Sequence, residues 1–243
     1  MKIGLIGYGK MGKAIEAIAL ERGHEVVFRS NSSDPITPEQ LTLADAAIEF
    51  TKPSLAVDHI RMAMESGTPL VVGTTGWNDH LSSVETLVSE SNGSLIHASN
   101  FSIGVNILFD INERLASLLS EYPEYQASIE EVHHVQKLDA PSGTAITLAN
   151  GILDNNESYI SWVCGEGQPP HVNPGQLGVT AQRLPDVPGT HTVTYTSATD
   201  TITISHEAHS RKGFALGAVI AAEWIFNKKG IFTMKDVLNN KAL

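Results

Sequence analysis

Over residues 1 to 100, short apolar runs alternate with stretches of helical periodicity. Ile3-Gly4-Leu5-Ile6, Val26-Val27-Phe28, Ala46-Ala47-Ile48, Leu70-Val71-Val72 and Leu95-Ile96 predict strands, and the spacing over 11–22, 54–66 and 79–91 predicts helices between them. Strands that alternate with helices are the pattern of right-handed βαβ units on a parallel sheet. A Rossmann-like fold is therefore expected for the first hundred residues.

Beyond Asn100-Phe101-Ser102 the pattern changes. A long helical stretch covers 104–120, a strand-like run covers Ser128 to Val135, and a helix is expected to begin near Ser142. Thr190 to Ser197 and Thr201 to Glu207 alternate polar and apolar positions, and the short link Ala198-Thr199-Asp200 predicts a hairpin. Between Gly165 and Gly189 the chain is dense in Gly and Pro, which predicts a long excursion lying on a neighbour or another subunit. The expected fold class is α/β: an N-terminal Rossmann-like parallel-sheet domain over 1–100, then an α+β domain with an open mixed sheet over 101–213. A C-terminal helix over 214–243 is expected to pack back on the first domain.

Charge and cysteine content narrow the functional classes. With 16 Lys+Arg against 27 Asp+Glu in 243 residues the formal net charge is -11, which argues against nucleic acid or an anionic membrane as a partner. An anionic ligand must then meet a local positive site. Cys164 is the one cysteine, so no intramolecular disulfide forms, and no apolar run approaches the ~20 residues of a membrane span. Met1-Lys2-Ile3-Gly4 enters a strand without a basic leader, so a cytoplasmic location is expected.

Gly7-Tyr8-Gly9-Lys10-Met11-Gly12 directly follows the first strand and opens a helix. Gly7 permits the tight turn, Gly9 lets backbone approach a pyrophosphate, and Gly12 allows close packing of helix on sheet. The helix start, with Lys10 and Met11, offers amides and a positive dipole end to phosphates. At the end of the second strand, where an acid about 20 positions on would bind the adenosine ribose, the chain reads Phe28-Arg29-Ser30-Asn31. Arg29 with Ser30 and Asn31 would suit a 2′-phosphate, which favours NADPH over NADH, although Asp34 would serve NADH if it folds back. Gly73-Thr74-Thr75-Gly76 and Glu49-Phe50-Thr51-Lys52-Pro53 fall at the same carboxyl edge of the sheet, as ring-lining segments or as plain turns.

The second candidate site is His133-His134-Val135-Gln136-Lys137-Leu138-Asp139-Ala140-Pro141-Ser142-Gly143-Thr144-Ala145. Lysine is a point charge for a carboxylate, and histidine can donate a proton near neutral pH. Ser142, Gly143 and Thr144 look like a helix start able to hold a second carboxylate. Neighbouring strand residues face opposite ways, so His133 and His134 reach one ligand only if the strand ends or bends there. His206 and His209 have metal-like spacing without further ligands in sequence, so no metal is expected.

The 133–145 segment resembles the signature of the 4-hydroxy-tetrahydrodipicolinate reductase (dihydrodipicolinate reductase) family. The glycine motif ending in Met11-Gly12, Gly73-Thr74-Thr75-Gly76, Asn100-Phe101-Ser102-x-Gly104-Val105-Asn106 and Ser210-Arg211-x-x-Phe214-Ala215-x-Gly217-Ala218 resemble that family's other blocks, in its order. The resemblance implies NAD(P)H-dependent reduction of a cyclic dicarboxylate in the diaminopimelate route to lysine. It also implies His133 as proton donor, Lys137 assisting transfer while binding substrate, and substrate contacts at His134, Ser142, Gly143 and Thr144. The nicotinamide side would fall on Gly73, Thr75, Ser99, Asn100, Phe101 and Arg211. A homotetramer joined through the sheets of the 101–213 domain is implied as well. Many relatives read His-His-Arg-His-Lys, whereas Val135 and Gln136 stand in the middle here, so any role of those two polar residues is absent. The alternatives are another Rossmann imine or oxo-acid reductase, a non-redox lyase, and a non-catalytic NADPH-sensing regulator.

Overall fold

The computed structural model describes residues 1–239. From the N-terminus the chain runs through β1 (Lys2–Ile6), α1 (Lys10–Glu21), β2 (Glu25–Ser30), α2 (Pro38–Leu41), β3 (Ala46–Glu49), α3 (Pro53–Glu65), β4 (Leu70–Val72), α4 (Leu81–Glu90) and β5 (Ser94–His97). It continues through α5 (Ile103–Leu119), β6 (Gln126–His133), α6 (Gly143–Leu153), β7 (Ser161–Glu166), β8 (Gln176–Arg183), β9 (Thr190–Thr196) and β10 (Thr201–Glu207). The last described elements are α7 (Lys212–Ile225), β11 (Gly230–Phe232) and α8 (Met234–Asn239). No described helix is long and apolar enough to cross a membrane.

Two compact units result, one of Met1–Ile103 with the chain from Arg211 on, the other of Gly104–Ser210. The first holds a parallel sheet in the order β11-β5-β4-β3-β1-β2. Alternation along the strands feeds two apolar layers. Ile3, Leu5, Val71 and Ile96 pack with Ile15, Ala218 and Ala222, while Ile6, Leu70, Val72 and Leu95 pack with Ile60, Val84 and Val88. β2 and β3 flank β1 on opposite sides, so the sheet has its topological switch point there, where open α/β sheets bind ligands.

The second unit is a mixed sheet in the order β10-β9-β6-β8-β7, with β6, β8 and β7 parallel, β9 antiparallel to β6, and β10 antiparallel to β9. Its core joins Ile129, Val179, Val193 and Tyr195 to Leu108 and Ala116 of α5 and Leu148 and Ile152 of α6.

Three expectations change. Within the Gly- and Pro-dense stretch, Gln176–Arg183 is not an excursion but β8, paired on both sides. The turn residues around it masked a strand whose partners are distant in sequence. The expected helix over 214–243 breaks after Ile225, because β11 leaves it to extend the sheet beside β5. Residues 240–243 of that expected helix lie outside the described residues. Finally, β6 ends at His133 rather than at Val135.

Candidate active site

The glycine turn of the first unit is built as its spacing requires. Gly7 has φ +98°, and a side chain there would strike the Phe50 carbonyl. A Cβ on Gly12 would lie 2.4 Å from the Gly7 carbonyl oxygen, so only glycine lets α1 sit this close to the turn. Over Gly9 there is open space. The site therefore has a cradle of backbone at a helix N-terminus, and its residues fit the pyrophosphate of a dinucleotide. The Ser30 carbonyl accepts from the amides of Gly7 at 3.1 Å and Tyr8 at 2.9 Å, which ties the end of β2 to the turn.

Arg29 is not the free cation the sequence predicts. Its Nε donates to Glu16 Oε1 at 2.6 Å, and its Nη2 bonds the same oxygen. The guanidinium lies 5.9 Å from the Tyr8 ring centroid, and the Tyr8 hydroxyl donates to the other Glu16 oxygen. Asn31 accepts the amides of Ser33 and Asp34 on its side chain, and so shapes the loop itself.

Because all strands of this sheet are parallel, the segments after β1, β3, β4 and β5 share one edge. Thr75 and Ser99 are exposed there, and Gly73 packs under the Phe50 ring, which a Cβ would meet at 2.1 Å. Thr74 is buried instead; its hydroxyl accepts from the Thr51 amide at 2.7 Å. Asn100 accepts from the Ser102 amide at 2.8 Å. The Phe101 side chain belongs to the core, edge-on to Phe50, and its carbonyl packs so tightly on α7 that a Cβ at Gly217 would lie 1.6 Å from it. Arg211 is exposed at the start of α7.

In the second unit the sites fall at the carboxyl end of β6. His133 is its last residue, and the chain turns immediately, with the Lys137 amide donating to the His134 carbonyl at 3.1 Å. The end of the strand frees the two histidines from alternation. Against His133 lies a group that the sequence reading missed, the fully buried Glu131 carboxylate. Its Oε1 accepts from the Ser142 amide at 3.0 Å and from Arg183 Nη2 at 3.2 Å and Nη1 at 3.3 Å. Its Oε2 is 3.3 Å from His133 Nδ1 and 3.6 Å from His191 Nε2. Burial pushes this carboxyl up, but the bonds from His133, His191 and Ser142 outweigh it and hold the group well below the usual carboxylate range.

Arg183 also grips the loop, donating to the carbonyls of Lys137 at 3.2 Å and Asp139 at 2.6 Å. Lys137 Nζ meanwhile donates to both Asp139 carboxylate oxygens at 2.8 Å. Ser142 caps α6: its hydroxyl accepts from the Ala145 amide at 3.2 Å and lies 3.1 Å from His191 Nε2. Since Ser142 is buried and so engaged, the exposed Gly143 and half-buried Thr144 form the open face of the helix start. His191 packs edge-on to His133 with centroids 5.0 Å apart, and burial keeps its pKa low.

Glu131, His133 and His191 have ligand atoms within 4.8 Å of one another, the donor set of a metal site. Arg183 already supplies positive charge to this carboxylate, so an electrostatic support for His133 suits the cluster better. A signal for Glu131 exists in the sequence: Ile129, Glu131 and His133 alternate on one face, which puts a carboxylate at a core position. Nothing local marks His191 or Arg183.

The first 101 residues match the family model described as "Dihydrodipicolinate reductase, N-terminus", and 104–238 match "Dihydrodipicolinate reductase, C-terminus". A 4-hydroxy-tetrahydrodipicolinate reductase of Christiangramia forsetii is 45% identical over 242 residues, covering 99% of this chain and 98% of the relative. One of Neisseria gonorrhoeae is 34% identical over 93% of this chain and 85% of the relative. Among solved structures, a dipicolinate-bound dihydrodipicolinate reductase from Paenisporosarcina sp. TG-14 superposes with a TM-score of 0.76 at 22% identity, covering 96% of this chain and 97% of that one.

Proposed function

Because the chain belongs to the dihydrodipicolinate reductase family, we propose that it performs that family's reaction, the NAD(P)H-dependent reduction of 4-hydroxy-tetrahydrodipicolinate to tetrahydrodipicolinate in diaminopimelate and lysine biosynthesis. The observation that carries this reading is the convergence of His133, Lys137 and the α6 N-terminus over a buried, ionised Glu131.

The nicotinamide, when bound, supplies the hydride. The glycine cradle and the first-turn amides of α1 hold the diphosphate, and the edge formed by Gly73, Thr75, Ser99, the Asn100 and Phe101 backbone, and Arg211 serves the nicotinamide side. Substrate binds in the Gly104–Ser210 unit. Lys137 takes one carboxylate, exchanging Asp139 for it as counter-ion. The Gly143 and Thr144 amides take the other carboxylate at the positive end of α6, and His134 lines the same turn. Ser142 builds that helix end through its cap.

The Glu131 carboxylate, 3.3 Å from His133 Nδ1, favours the tautomer with the proton there, leaving Nε2 to hold and deliver a second proton to the ring as hydride adds, once the 4-hydroxyl has left as water. Glu131 and His191 orient the imidazole; Arg183 pairs with the carboxylate and pins the Lys137 loop. Fixed groups of this kind favour charge development without reorganising during the step.

The same reading includes a homotetramer joined through the mixed sheets, supported by β10 as an edge strand paired on one side alone among the described residues, with Ile202 exposed on it. It also includes action in the cytoplasm, supported by the biosynthetic reaction of the relatives.

The test is to mix the protein with NADPH, and separately with NADH, and add freshly generated 4-hydroxy-tetrahydrodipicolinate while following reduced-cofactor absorbance. Substrate-dependent oxidation is expected. Replacing His133 with Gln should lower kcat by about 10² to 10⁴, the range for a positioned acid or base. Full turnover in H133Q would remove His133 from the mechanism, and no oxidation by folded protein would remove the reaction itself.

A further inference from the structure

We propose that Glu16 sets how this chain chooses between NADH and NADPH, by competing with an adenosine 2′-phosphate for Arg29. The inference rests on the dinucleotide-binding reading above. Arg29 pairs in register with Leu5 of β1, one residue before Ser30, whose carbonyl is bonded to the glycine turn. That is the corner of a Rossmann sheet where the adenosine ribose is read, by an acid for NADH or a cation for the 2′-phosphate. This chain places both kinds of charge at the corner and pairs them with each other.

The pairing is close and two-sided. Glu16 takes Arg29 Nε and Nη2 on one carboxylate oxygen and the Tyr8 hydroxyl on the other, and the Tyr8 ring flanks the guanidinium. Arg29 hydrogen bonding holds the Glu16 carboxyl below its ordinary range, so it stays ionised at neutral pH. The Glu16 side chain is 14% exposed and that of Arg29 40%, so the cation faces water from an anchored carboxylate.

A 2′-phosphate approaching Arg29 therefore meets a neutralised pair rather than a free cation. It must share the guanidinium with Glu16 and sit near a like charge. A 2′-hydroxyl faces neither cost. Arg29 alone makes a sequence look specific for NADPH; with Glu16 two turns into α1, NADH becomes competitive.

Glu16→Gln removes the charge but keeps one carbonyl oxygen to accept from Arg29, while its amide N–H can donate to the Tyr8 hydroxyl. Binding is measured by calorimetry without dicarboxylate substrate, using NADPH and NADH and then adenosine 2′,5′-bisphosphate and AMP. In both pairs the preference for the 2′-phosphorylated member should rise about tenfold, the scale on which one like charge acts at a partly solvated site. Arg29→Gln should move the ratio the other way. Glu16→Ala is the second variant, with the same expected direction, in case Gln keeps Arg29 fully engaged. An unchanged ratio in both Glu16 variants, or equal changes for both members, would reduce Glu16 to a brace between helix and strand and overturn the proposal. Failure of the parent protein to bind any of these nucleotides would overturn the dinucleotide reading itself.

Discussion

In the first unit the candidate nucleotide surface is made of backbone, with Gly7, Gly9 and Gly12 clearing space at a strand-to-helix turn. In the second the candidate substrate surface is made of side chains that converge on the buried Glu131 carboxylate. The two materials fail in different ways. A backbone cradle depends on clearance and conformation, which pH hardly touches. A buried polar cluster depends on the charge and partners of every member, because each unpaired group in a low-dielectric setting is costly.

The largest effect is expected from removing the centre of that cluster. Glu131→Ala takes the counter-charge from Arg183, the acceptor from the Ser142 amide and the carboxylate from two imidazoles, and should destabilise the second unit by about 3–5 kcal/mol, the cost of breaking a buried ion pair. Trp162 reports on that unit and Trp77 and Trp224 on the other, so single-tryptophan variants in urea separate the two. Equal loss in both units would show that the cluster has no local role.

Gly12→Ala probes the backbone site. Its Cβ meets the Gly7 carbonyl oxygen at 2.4 Å, an overpacking that should cost about 1–3 kcal/mol. Affinity for both NADPH and NADH should fall while the Trp162 transition stays in place. Unaltered nucleotide affinity would show that α1 can back away from the turn at no cost to the site.

Lowering the pH sharpens the comparison further. His191 is kept neutral by burial, so its folded pKa is depressed: its contribution is present above the unfolded value of about 6.5 and fades as pH falls below it. His97 in the first unit has the same sign for the same reason, so both units share this loss. Glu131 adds a second loss to the second unit alone, since a carboxyl held low contributes above about pH 4.3 and loses its contribution as pH falls toward its folded pKa. Of the first unit's depressed carboxyls, Glu16 and Glu223 sit in partly solvated pairs and Glu39 is exposed, so they contribute less. Urea midpoints measured from pH 7 to 3 should fall together at first and diverge below about pH 4, the Trp162 unit falling faster. Parallel curves throughout would contradict the assigned ionisation of Glu131.

The smallest effect is expected at the Arg22–Glu223 pair, which spans α1 and α7 at 2.8 Å with 40% and 26% of the side chains exposed. Arg22→Ala should cost no more than about 1 kcal/mol, because water and salt screen such a pair. A larger loss in the first unit would mean that a side-chain contact, rather than the apolar layers, holds α7 in place.

The sequence by itself determined the elements whose signals are local. Five parallel strands and three of their helices, the 190–207 hairpin, the helix start at Ser142, and the glycine turn were all legible, because spacings of two, three and four residues report which side chains share a face. The residue types of the 133–145 segment, with its resemblance to the family signature, marked His133 and Lys137 as a chemical unit. Only the tertiary structure decided what surrounds them. Glu131 and Arg183 are 52 residues apart, and Ser142 and His191 are 49 apart, so their meeting depends on β6 pairing with β8 and β9. The sequence showed Arg29 as a free cation because Glu16, its partner, reaches it from another element. A charge's sign is written in the residue, but its availability depends on what the fold places within hydrogen-bonding distance.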